Sequence, residues 1–148
     1  MDSEIQSYRI SRFQKRINIC EAIYSDLIWN SFDEAKKSKK HGNDSWTGFE
    51  WRIYKRYIKD KTLFLEQIDQ LLRTDWSVHR LNLSILAIIL EAFSEYSVFK
   101  TEPAILIQQS VLLAKDYGED EYKLVHAVID NYIKQLLIKE KEIKKNNN

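Results

Sequence analysis

The chain has 148 residues, with one cysteine, one proline, three glycines and a net charge of +1. A chain of that length accommodates one domain, 1–148, able to bury about 68–70% of its unfolded surface without staples. So few turn formers exclude a β-sandwich, a β-barrel or a glycine-rich nucleotide fold, and near-neutrality argues against a wholly basic nucleic-acid binder.

The first periodic segment carries Ile10, Phe13, Ile17, Cys20, Tyr24 and Leu27 at spacings of three and four, which predicts one apolar helical face. Neither proline nor glycine interrupts Tyr8 to Trp29. A lysine-rich loop near 31–45 follows, containing KKSKKHGNDS. Phe49, Ile53, Tyr57 and Ile58 restore the helical period, as do Leu65, Ile68, Leu71 and Leu72. Lys59 to Thr62 marks a break between two helices. Asp75-Trp76-Ser77 reads as the next connection, with Asp75 or Ser77 available as an N-cap. From Leu83 to Phe93 the sequence LSILAIILEAF is apolar nearly all round, the pattern of a central buried helix. Pro103 suits the first turn of another helix, which runs through Ile107, Val111 and Ala114 toward Gly118 as its C′ residue. A last long helix buries Val125, Val128, Ile129, Tyr132, Ile133 and Leu136, and a frayed tail is expected near 139–148.

This is an all-α pattern. The longest apolar run, Ile85 to Leu90, is far short of the ~20 residues of a membrane span. With no apolar leader in MDSEIQSYRI, no membrane association and a cytoplasmic location are expected. A lone cysteine permits no internal disulfide or Cys-based zinc site, and on the apolar stripe Cys20 reads as a small buried hydrophobe. The glycines at 42, 48 and 118 are too scattered to build a phosphate loop, and His41, His79 and His126 lack partners at ligand spacing. Glu91 and Glu95 lie one turn apart, a pairing common on solvated faces. No enzyme, cofactor or metal is indicated.

Between Ile5 and Cys20 there are four cations, Arg9, Arg12, Lys15 and Arg16, and no acid. At ~100° per residue, Arg9, Arg12 and Arg16 fall within about 60° of one another, flanking the apolar stripe. Guanidinium groups bind phosphates bidentately and stack on bases. The stripe is therefore either a phosphate-binding face or an ordinary solvated helix edge.

Several short segments occur in an order that resembles the NusB family of bacterial transcription antitermination factors. Arg12, Arg16 and Glu21-Ala22-Ile23-Tyr24 are similar to the family's opening R-x-x-x-R-x-x-x-x-Q-A-L-Y. Trp76-Ser77-Val78-His79-Arg80-Leu81, Ala87-Ile88-Ile89-Leu90 and Glu95-Tyr96 follow its W-x-L-x-R-L and A-I-L-R-x-x-x-Y-E-L. Ile107-Gln108-Gln109-Ser110-Val111-Leu112-Leu113-Ala114-Lys115 resembles I-N-E-A-V-E-L-A-K, and Leu124 to Asp130 resembles F-V-N-G-V-L-D. Departures fall on polar positions: Gln108 and Gln109 replace Asn and Glu, His126-Ala127 replaces Asn-Gly, and Leu90 replaces Arg.

The resemblance implies about seven helices in two small packed bundles and no catalytic activity. It implies binding to boxA-type single-stranded RNA of ribosomal RNA leaders together with the ribosomal protein NusE, and assembly with other Nus factors on RNA polymerase. Some NusB-like proteins self-associate, which leaves a homodimer open. Arg12, Arg16 and Tyr24 are the leading RNA-contact candidates, with Arg9 and Lys15 in the same basic segment; Tyr24 serves either stacking or packing. Glu95, His126 and Asp130 are candidates for RNA or partner contact, His126 and Asp130 being equally readable as ordinary helix residues. Two other readings stay open: a module related to those of ribosomal RNA cytosine methyltransferases, and a diverged helical scaffold without RNA binding.

Overall fold

The computed structural model describes residues 11–32, 46–72 and 77–147. Arg9, most of the lysine-rich loop and Asp75 lie outside the described residues. The described residues form five α-helices: α1 (Arg12–Trp29), α2 (Gly48–Leu71), α3 (Leu83–Phe99), α4 (Pro103–Ala114) and α5 (Glu119–Asn146). Short 3₁₀ turns at Val78–Arg80 and Lys115–Tyr117 precede α3 and α5, and there is no strand among the described residues. The all-helical expectation is met: the described residues form five of the about seven helices expected of the whole chain.

One difference lies at Lys59–Thr62, where α2 continues without a break. No proline or glycine interrupts that stretch, and its polar residues fit the solvated side of a helix. Arg56 pairs with Asp60 one turn on, at 3.4 Å, and Lys61 sits 5.1 Å over the Phe32 ring. At the C-terminus α5 runs to Asn146. Nothing in that stretch breaks a helix, and Lys144 and Lys145 in the last turn complement the negative end of the helix dipole.

Local chemistry accounts for the ends. Ser11 caps α1 by accepting from the Gln14 N–H. Glu50 reaches back to accept from the Thr47 N–H at the start of α2. The cap of α3 is Asn82, which accepts from the Ser84 N–H at 2.8 Å; Ser77 precedes the 3₁₀ turn and makes no side-chain cap bond. Pro103 occupies the first turn of α4 as its sequence position predicts. Gly118 has φ +124, a conformation costly for any other residue, and a Cβ there would press on the Glu121 carboxylate.

Helix α3 packs against each of the other four helices. Its residues 85–96 are all buried, as an all-round apolar helix demands. α1 and α2 cover one side of it, and α4 and α5 pack together on another. The two groups share α3, and their buried residues form one continuous cluster. Phe93 is its hub: it stacks on Tyr132 of α5 at 3.7 Å between ring centroids and meets Phe64 of α2 edge-on at 5.8 Å. No described helix is long and apolar enough to cross a membrane.

Phe93→Ala would leave a cavity where three helices meet. A loss of ~3–5 kcal/mol is expected, read as a lower urea midpoint by circular dichroism.

Candidate nucleic-acid interface

The basic segment of α1 meets the C-terminal part of α3 and the first turns of α2. Arg16 does not stand at the exposed edge that its spacing from Arg12 implies. It is 5% exposed, and its Nε and Nη2 donate to Glu95 Oε1 and Oε2 at 2.8 and 2.9 Å. Glu95 is fully buried, and its Oε2 also accepts from the Thr101 hydroxyl at 2.7 Å. Both carboxylate oxygens are therefore engaged inside the protein, and neither faces a base edge from outside. The physical reason is rotational. The deeply buried face of α1 carries Arg16, Ile19, Ala22, Ile23 and Asp26, about 100° from the stripe of Phe13, Ile17, Cys20, Tyr24 and Leu27. The described members of that stripe are half-buried or exposed. Arg16 thus sits on the core face, where only a bidentate acid could satisfy it.

Glu91, one turn before Glu95, is also fully buried, so the two carboxyls do not form the solvated pair that their spacing implies. Burial first, then the adjacent Glu95, pushes the Glu91 carboxyl well above its ordinary range. For Glu95 burial acts upward too, but the hydrogen bonds from Arg16 and Thr101 outweigh it and hold the group below its ordinary value. The two acids are thus shifted in opposite directions, Glu95 by the guanidinium it binds and Glu91 by burial beside a second carboxyl. Half-buried Cys20 lies close to both acids, and burial first, then their charge, pushes its thiol well up.

What remains on the surface is Arg12 and half-buried Lys15. The Arg12 guanidinium carbon lies 4.2 Å over the Phe49 ring of α2, and that of Arg16 lies 5.9 Å from it. Phe49 stacks in turn on Phe99 of α3 at 5.1 Å. These rings escaped the sequence reading because an aromatic at helical spacing has the same pattern whether it fills a core or seats a cation.

The other candidates are elsewhere. Tyr24 is 39% exposed but lies ~18 Å along α1 from Arg12 and about 120° around it. His126 is exposed and lines an open groove of about 590 Å³ between α4 and α5, with Ile107, Val111 and Tyr122 among its walls. Asp130 makes a surface pair with Lys134 at 2.9 Å. No cluster of three metal-ligating side chains occurs among the described residues.

Arg16→Ala would strand Glu95 in the core, and a destabilisation of ~3–5 kcal/mol is expected from chemical unfolding. Glu91 gives a pH signature. Its folded value is raised, so its proton supports the folded state at low pH, and that support is lost as pH rises past the unfolded value toward the folded one. Glu91→Gln, which needs no proton, should raise the melting temperature more at pH 8 than at pH 5.

A family model described as the NusB family matches residues 14–134. The transcription antitermination protein NusB of Ligilactobacillus salivarius (strain UCC118) is 34% identical over 68 residues, 45% of this chain and 52% of the relative. The protein of the same name from Alkaliphilus oremlandii (strain OhILAs) is 33% identical over 85 residues, 54% of this chain and 62% of the relative. The matches thus span between about half and three-fifths of the length of these relatives. No solved structure matches the chain significantly.

Proposed function

The chain belongs to the NusB family, and on that premise we propose that it is a cytoplasmic transcription antitermination factor that binds single-stranded, boxA-type RNA of ribosomal RNA operons together with NusE. It acts as a binding protein without a cofactor, and reaches the other Nus factors and RNA polymerase through that complex. The observation that carries the reading is the family match over residues 14–134, which takes in Lys15 and Arg16 of the basic segment and the Arg16–Glu95 pair.

In this reading the phosphate contacts come from Arg12 and Lys15, with Arg9, outside the described residues, a further candidate. Arg16 and Glu95 act one step back: their ion pair holds α1 against α3 and so sets the direction in which Arg12 projects. Flexible RNA suits such a site, because a single strand bends its phosphates to meet fixed cations and leaves its bases free to stack. Tyr24, ~18 Å along α1 from Arg12, and His126 and Asp130 on α5 serve the protein partner or a longer RNA path.

The test is a fluorescence-anisotropy titration with boxA-type RNA and with NusE, separately and together, over a range of salt concentrations. Wild-type protein should bind RNA with a salt-dependent affinity that NusE strengthens. Arg12→Ala plus Lys15→Ala should weaken RNA binding about tenfold or more and flatten the salt slope by ~0.7 for each lost phosphate contact, with the helical signal unchanged. Binding that neither variant nor salt affects would overturn the proposed face.

A further inference from the structure

Arg12 is not the only guanidinium resting on this aromatic pair. Arg52, one turn after Phe49 on α2, holds its guanidinium carbon 4.6 Å over the Phe99 ring. Arg12, Phe49, Phe99 and Arg52 therefore make a continuous series of contacts across α1, α2 and α3. We propose that Arg12 and Arg52, joined through the Phe49–Phe99 stack, form a two-guanidinium cradle for neighbouring phosphates of a single-stranded RNA backbone. The proposal rests on the RNA-binding reading above and adds Arg52, Phe49 and Phe99 to it.

Three features of the site carry the inference. First, both arginines are exposed, and neither has a carboxylate partner among the described residues. Second, two acids of the adjoining helices, Glu50 and Glu95, are turned inward and already used. Glu50 is 3% exposed and accepts from Thr47 and Asn18, and Glu95 is taken by Arg16 and Thr101. The cradle is thus a local positive surface on a nearly neutral protein, and its field falls on whatever docks there. Third, each guanidinium carbon sits over a ring, and neither group hydrogen-bonds another described residue. A guanidinium parked on an aromatic face has already surrendered part of its rotamer freedom, so a phosphate that accepts from its edge costs less ordering. Phe49 is itself 8% exposed and joins the core, so the platform beneath the cations is fixed. Lys100, next to Phe99 and exposed, adds a further cation at the same end of α3.

The experiment is anisotropy titration of a labelled boxA-type RNA at several salt concentrations with wild type, Arg52→Gln, Arg52→Lys and the Arg12→Gln plus Arg52→Gln double variant. Circular dichroism melts establish that each variant is folded. Arg52→Gln is expected to bind about tenfold more weakly with a salt slope lower by ~0.7, and the double variant to lose about twice that slope. Arg52→Lys, which keeps the charge and loses the planar stack, should fall between wild type and Arg52→Gln in affinity while keeping the wild-type slope. If wild type binds RNA and folded Arg52→Gln binds it with the same affinity and slope, the cradle is overturned and the RNA-binding reading stands. If wild type binds no RNA at any salt concentration, the reading itself falls and takes the cradle with it. A loss of affinity for polyglutamate in Arg52→Gln, with RNA binding unchanged, would overturn RNA as the ligand and assign the site to an acidic peptide.

Discussion

The bidentate pair between Arg16 and Glu95 is the constraint around which the N-terminal half of the protein is arranged. Two charges taken out of water cost several kcal/mol each, at order of magnitude, and only good geometry with every remaining hydrogen bond made offsets that. Here the guanidinium meets both carboxylate oxygens, and Thr101 supplies a further donor. The pair links α1 to α3 across 79 residues of sequence. Because a bidentate contact tolerates little rotation, it holds α1 with Arg16, Ile19 and Ile23 facing inward. Any other rotation would leave Glu95 buried and uncompensated.

Glu91 shows the limit of that arrangement. One arginine neutralises one carboxylate, and burial shifts a second acid, one turn away in the same interior, well upward. The two acids titrate in opposite directions from nearly the same place, because one has a guanidinium and the other has only its neighbour. Taking Arg16 and Glu95 inward also clears the surface beside them. Arg12 and Arg52 are left over aromatic rings with inward-turned acids around them, which concentrates positive charge at the meeting of three helices on a protein whose net charge is +1.

Elements whose signals are local were legible from the sequence. Pro103 marks a helix start because its ring suits only a first turn, and Gly118 marks a boundary because its backbone angle excludes side chains. The run Leu83 to Phe93 was readable as the central helix, since a segment apolar on every side has nowhere to go but the middle. The stripe of α5 was readable because its apolar spacing matches one burial face. The supposed break at Lys59–Thr62 failed for the converse reason: a polar patch on a long helix looks like a loop when the neighbours that shade the rest of it are unknown. In α1 two apolar faces compete, and the stripe richer in large side chains is not the one that is most deeply buried.

The same distinction applies to the candidate site. Readable from the residues alone were an all-helical chain, the family resemblance, and four cations without an acid between Ile5 and Cys20. Which of those cations face solvent was decided only by the tertiary structure. Arg12 and Arg16 are equivalent by spacing, yet one rests exposed on Phe49 and the other is buried against Glu95. Helical periodicity specifies which residues share a face, but the direction of that face depends on partners far away in the chain. A carboxylate 79 positions downstream and two phenylalanines from two other helices decided it.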